Sequence, residues 1–148
     1  MKLRVGVLQL DIKIGDRDYN YRNIEDWMAS FYVPSDLTTA VVLPELWNVG
    51  YALDRAQELA DAEGAGAASF LGELARKYGV WFTGGSVLAS TRKKLVNRAQ
   101  VINPGGKLAA KYDKAHLFRL MKEDEHFTGG KKECVFDLDG VAAGCVIC

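Results

Sequence analysis

Apolar residues recur every three to four positions in two stretches of this chain, and every second position or without a break in most of the rest. Arg4 to Leu10 is an apolar run interrupted by Gln9 and reads as a strand. Asp11 to Asn20 holds Gly15, three aspartates and an asparagine, which is a loop composition. Asp18 or Asn20 is placed to cap a helix that carries Ile24, Trp27, Met28 and Phe31 at helical spacing, with Glu25-Asp26 read as early in it and Pro34 ending it. Thr39 to Leu43 is a short β-branched strand that runs straight into Pro44-Glu45. Ala56 to Ala62 reads as a short helix, set off by Gly64 and Gly66 from a second amphipathic helix bearing Phe70, Leu71, Leu74, Ala75 and Tyr78. Arg76-Lys77 followed by Gly79 is a common way for a helix to end. Val80 to Thr83 is a third strand, punctuated by Gly84-Gly85.

Beyond this point strands dominate. The stretch around Leu88, Asn97 to Asn103 and Leu108 to Tyr112 read as sequential antiparallel strands, with Pro104-Gly105-Gly106 turning the last two. Ala115 to Asp124 is irregular or a short helical turn, and Thr128 to Lys132 a loop. Cys134 to Leu138 and Val141 to Cys148 form a last pair around Asp139-Gly140. The final run is apolar or small at every position, so it is expected to be buried on both faces. The order β-α-β-α-β, then mostly β, describes an α/β protein. Without internal repeats or a linker, residues 1–148 read as one domain.

Composition narrows the function. At 148 residues, 49% hydrophobic and 26% charged, the chain is ordinary for a globular domain with a real core. Nineteen basic and nineteen acidic residues cancel, and no basic stripe points to nucleic acid or an anionic membrane surface. There is no signal-peptide pattern and no apolar run long enough to span a bilayer. Three cysteines make no disulfide framework. A cytoplasmic protein with free thiols, no nucleic-acid partner and no membrane partner is expected.

Three residues carry candidate chemistry. Glu45 follows a strand and a proline, and its neighbours Leu46 and Trp47 suggest apolar surroundings that would disfavour its charged form, as a general acid or base needs. Read alone it is equally a solvated loop carboxylate. Lys114, just past a strand, is suited to stabilise an oxyanion and to lower a thiol's pKa, or else snorkels at a sheet edge. Cys148 is placed where open α/β sheets hold their sites, yet a buried cysteine is also a good small hydrophobe. Cys145 and Cys148 form Cys-x-x-Cys, but residues three apart in a strand face opposite ways, and no second pair completes a zinc site. His116 reads as a packing or hydrogen-bonding residue, His126 as a loop residue and Cys134 as core.

Glu, Lys and Cys in this order, each just past a strand, resemble the nitrilase superfamily of carbon–nitrogen hydrolases. Gln9 resembles that family's early glutamine, Leu-Pro-Glu-Leu-Trp-Asn-Val-Gly-Tyr (43–51) its glutamate motif and Gly-Gly-Ser (84–86) its third-strand ending. Lys-Tyr-Asp-Lys-Ala-His-Leu-Phe (111–118) resembles its lysine motif and Gly-Cys-Val-Ile-Cys (144–148) its cysteine motif, and Arg-Leu-Met-Lys-Glu (119–123) is most similar to the omega-amidase-like branch. The resemblance implies an α-β-β-α sandwich, usually dimeric, and a catalytic triad of Glu45, Lys114 and Cys148. It implies a substrate-positioning glutamate at Glu123, with Glu125 the alternative. The activity implied is hydrolysis of a small linear amide, such as a keto-acid amide, to acid and ammonia through a Cys thioester, with no metal and no cofactor. A nitrilase or an N-carbamoyl-amine hydrolase on the same triad, or a non-catalytic interaction module, are the alternatives. Family members continue past the cysteine, so 1–148 is expected to be an N-terminal portion. Its second half would then be its partner, as continuing chain or as a separate segment, and alone it would be inactive.

Overall fold

The computed structural model describes residues 2–92 and 94–148. Its elements run in the order β1 (Leu3–Val7), α1 (Arg17–Phe31), β2 (Thr38–Val42), α2 (Ala56–Leu59), β3 (Asp61–Ala62), α3 (Ala65–Tyr78), β4 (Trp81–Phe82), β5 (Ser86–Thr91), β6 (Lys94–Ile102), β7 (Leu108–Asp113), α4 (Glu123–His126), β8 (Val135–Leu138) and β9 (Val141–Gly144). β1, β2 and β4 are parallel neighbours. β6 lies antiparallel to β4 and β5 along one edge and to β7 along the other, and β3 flanks β5. β8 and β9 form a separate two-stranded sheet.

Period-two alternation sorts the sheet residues into two cores. Val41, Phe82 and Ile102 pack with Ile24 and Met28 of α1 and with Ala67, Leu71 and Leu74 of α3. Their chain neighbours Ala40, Trp81 and Val101 face the other way, against Leu138, Cys134 and Cys145 of the β8–β9 hairpin. Helices, main sheet and hairpin therefore make three successive layers. The outer helix layer of the expected sandwich is not formed by the described residues, and Leu3, Val5 and Val7 on one face of β1 are exposed.

Several local expectations need correcting. The cap of α1 is Asp16, whose carboxylate accepts from the Tyr19 N–H at 3.0 Å. Asn20 is buried instead and staples the preceding loop, bonding Lys13 N–H at 2.8 Å and the Lys13 carbonyl at 2.9 Å. Glu25 and Asp26 fall in mid-helix, and Asp18 is the acidic residue of the first turn. Asp61–Ala62 is a strand beside β5 rather than the end of a helix. Asp61 caps α3 from outside, accepting from the Gly66 and Ala67 N–H groups. Gln9 lies beyond the end of β1.

The largest correction concerns the final run. Only Val141–Gly144 is strand, and its residues are mostly exposed, as are Val146 and Cys148. β9 pairs with β8 along one edge and, among the described residues, with nothing along the other. An apolar strand is buried only when other strands or helices cover it, and none of the described residues covers this edge.

Candidate active site

Glu45 owes its position to a clamped turn. Pro44 stiffens the exit from β2, and Leu46 takes a positive φ of 50°, an uncommon conformation for a branched residue. The turn is held to the start of β5: Leu46 N–H donates to Ser86 Oγ at 2.9 Å, Trp47 N–H to the Ser86 carbonyl at 2.9 Å, and Ser86 N–H to the Pro44 carbonyl at 3.2 Å. Gly85 (φ +73°) makes this approach possible, since a Cβ there would lie 2.6 Å from Leu43 Cβ. Asn48 adds a tie, its Oδ1 accepting from Leu88 N–H at 3.0 Å.

Lys114 leaves the end of β7 with its N–H donating to the Asn97 carbonyl at 2.8 Å and its own carbonyl accepting from Gly130 N–H at 2.9 Å. The ammonium reaches back between two carboxylates. Nζ is 2.7 Å from Glu45 Oε1 and 2.8 Å from Glu123 Oε2. Glu123 opens α4, is fully buried and also accepts from the Phe118 N–H at 2.7 Å. Burial works against the Lys114 charge, but the hydrogen bonds and charges of Glu123 and Glu45 outweigh it and hold its pKa above the ordinary lysine value. It is a fixed cation, suited to stabilising negative charge and not to accepting protons.

The expected apolar surroundings of Glu45 are not what the fold provides. Leu46 and Trp47 turn into the cores, while the carboxylate meets an ammonium and an amide: Asn97 Nδ2 donates to Glu45 Oε1 at 2.7 Å and lies 3.5 Å from Glu123 Oε1. Tyr51 sits beside both glutamates, and burial together with the charges of Glu45 and Glu123 pushes its hydroxyl well above the usual tyrosine range. The sequence analysis singles out neither Asn97 nor Tyr51. The signal that could have found Asn97 is its place with Arg98 and Gln100 as polar residues among the apolar positions of β6.

Glu45 is about a quarter exposed, and it lines a cavity of about 190 Å³ with Gly85, Ser86, Val146, Ile147 and Cys148. Glu45, Lys114 and Glu123 are thus in direct contact, and Cys148 shares the Glu45 cavity. Cys148 is exposed, whereas Cys134 and Cys145 are buried. Burial raises the Cys134 thiol. Burial and then the neighbouring Cys134 push the Cys145 thiol up to about 11. Glu125 is exposed and lies 4.0 Å from Lys122, away from this cluster. His116 is exposed and makes no hydrogen bond among the described residues, and His126 closes α4. Among the described residues no three His, Cys, Asp or Glu side chains converge as a metal-ligand set, and no helix is long and apolar enough to cross a membrane.

Comparison with known proteins bears on this arrangement. The family profile described as carbon-nitrogen hydrolase matches residues 4–148. The 2-oxoglutaramate amidase of Bacillus subtilis (strain 168) is 36% identical over 148 residues, covering 100% of this chain and 56% of that protein. The crystal structure of Saccharomyces cerevisiae Nit3, a member of branch 10 of the nitrilase superfamily, superposes with a TM-score of 0.83 at 27% identity, covering 99% of this chain and 55% of that one. XC1258 from Xanthomonas campestris, a CN-hydrolase superfamily protein, gives a TM-score of 0.84 at 24% identity, covering 95% and 51%. The chain thus spans about half the length of these relatives. With the profile matching almost from end to end and the same mixed α/β fold in the solved structures, the chain belongs to the carbon–nitrogen hydrolase family, within the nitrilase superfamily.

Proposed function

We propose that the protein hydrolyses the carbon–nitrogen bond of a small linear amide, in the manner of an omega-amidase, with Cys148 as nucleophile, Glu45 as general acid and base, and Lys114 as the cation that holds the oxyanion. The observation that carries this reading is one buried ammonium shared by two glutamates, one of which opens on the cavity that Cys148 lines. The names of the Bacillus subtilis relative and of a Saccharomyces cerevisiae relative, an omega-amidase 27% identical over 160 residues, support an amide over a nitrile or carbamoyl substrate.

The chemistry follows from the groups. Glu45 takes the thiol proton as sulfur attacks the amide carbon. The oxyanion forms against the Lys114 ammonium. Glu45 returns its proton to the nitrogen, the C–N bond breaks and ammonia leaves a thioester on Cys148. Glu45 then deprotonates water, which attacks the thioester carbon, and the released thiolate recovers the proton. Amide and water become acid and ammonia, with no cofactor used. Glu123, by occupying the other side of Lys114, keeps the ammonium fixed and, being fully buried, would position substrate through Lys114.

The test is ammonia release from a keto-acid amide and from succinamate, compared with a nitrile and an N-carbamoyl amine. Intact mass of the Glu45→Gln protein is read after incubation with each. An acid product from the amides, lost in Cys148→Ala, is the expected result. Turnover by Glu45→Gln at the wild-type kcat would overturn the acid–base assignment.

A further inference from the structure

Asn97, on β6, touches both carboxylates of the site, as Lys114 does. Its side chain is 1% exposed, and Nδ2 donates to Glu45 Oε1 at 2.7 Å and lies 3.5 Å from Glu123 Oε1. Its backbone carbonyl accepts from the Lys114 N–H, so one residue sets both the cation's backbone and the base's side chain. Its own Oδ1 is buried and has no partner among the described residues. An apolar side chain of the same shape would avoid burying an unpaired acceptor, so stability alone does not account for an amide here. Turning the amide over would set its oxygen against two carboxylates, which leaves the donor orientation as the sound one.

Among the described residues the two hydrogen bonds of good geometry to Glu45, from Lys114 Nζ and Asn97 Nδ2, converge on the same oxygen, Oε1, with the Tyr51 hydroxyl close by but outside that geometry. An oxygen loaded with two hydrogen bonds is the poorer base. Oε2 takes neither of them. We propose that Asn97 is a positioning residue for amide hydrolysis: with Lys114 it holds Glu45 by Oε1, and so reserves Oε2 for the proton taken first from Cys148 and then from water. This rests on the amidase reading given above. In each half-reaction the proton arrives at Oε2 and leaves from it, to the departing nitrogen in the first and to the cysteine sulfur in the second.

The proposal is tested by kcat, KM and the pH profile of ammonia release for wild type, Asn97→Ala and Asn97→Asp. Asn97→Ala removes a donor that favours ionised Glu45. kcat should fall on the order of 10–100-fold, the loss of one hydrogen bond to a charged group, with KM little changed. The acidic limb should move to higher pH. Asn97→Asp is isosteric but sets a third carboxylate against Glu45. It should be slower than Asn97→Ala at pH 8 and regain activity relative to wild type as the pH falls and the new carboxyl becomes a donor. A packing role predicts the reverse order, with the isosteric variant milder and the limb unmoved in both, and that result overturns the proposal. Should Asn97→Ala fail to fold, the pH dependence of Asn97→Asp decides the matter. Assayed as the full-length protein, a wild type that hydrolyses none of the amides overturns the amidase reading and the proposal with it, whereas an active wild type with unmoved limbs overturns the proposal alone.

Discussion

Replacing Lys114 by Met removes the one cation between two glutamates and leaves Glu123 as a carboxylate with no access to water. Lys114 is 1% exposed, Glu123 0% and Glu45 26%, with Nζ 2.8 Å from Glu123 and 2.7 Å from Glu45. At an effective dielectric near 20, an ion pair at this separation is worth roughly 6 kcal/mol before desolvation. Part of that is returned because the ammonium no longer needs to be buried, and Glu45 can rehydrate through its open side. Glu123 keeps the Phe118 N–H at 2.7 Å. The net loss should therefore be about 3–5 kcal/mol, the range for breaking one partner out of a buried pair. Urea unfolding at pH 7.5, followed by tryptophan fluorescence, measures it; Trp47 is buried in the helix-side core and reports the fold. The double variant Lys114→Met/Glu123→Gln should recover at least half of the loss. A loss under about 1 kcal/mol, or no recovery in the double variant, would refute the claim that Lys114 balances a buried charge.

Three further outcomes follow from other parts of the structure. Iodoacetamide near pH 8 should alkylate exposed Cys148 first and spare Cys134 and Cys145, whose thiols are buried and raised, as peptide mass mapping of the labelled protein will show. Gly85→Ala should destabilise by about 1–3 kcal/mol, combining a positive φ with a Cβ 2.6 Å from Leu43, and should lower activity by shifting Glu45. Gly79→Ala, where φ is +64° but nothing lies within 4 Å, should be the milder of the two in thermal melts. Alkaline stability should fall as pH rises from about 9 to about 11. Unfolded Cys145 ionises from the ordinary thiol value of 9.0 upward, while the folded thiol keeps its proton to about 11. The total is on the order of 2–3 kcal/mol, and Cys145→Ala should remove that component from a pH series of urea midpoints.

Short-range signals in the sequence determined much of this protein. The periodicities of α1 and α3, the Gly79 end of α3, the Pro104-Gly105-Gly106 turn and the places of Glu45, Lys114 and Cys148 just past strand-like runs are properties of a few neighbouring residues, and they are legible because local steric and hydrogen-bonding preferences act over that distance. The pairings were decided by tertiary structure. Glu45 and Lys114 are 69 residues apart, and Asn97 and Glu45 are 52 apart. Only the register of β6 against β5 and β7 sets Asn97 beside both glutamates, and only the clamp of Ser86 on the Glu45 turn replaces the expected apolar setting with a charged one. Asp61–Ala62 shows the same limit at small scale, since two residues carry no alternation and become a strand because β5 offers them an edge. The final run, Val141 to Cys148, makes the point in reverse. Its composition described a buried strand, but burial is conferred by neighbours, and along most of this run none of the described residues supplies them.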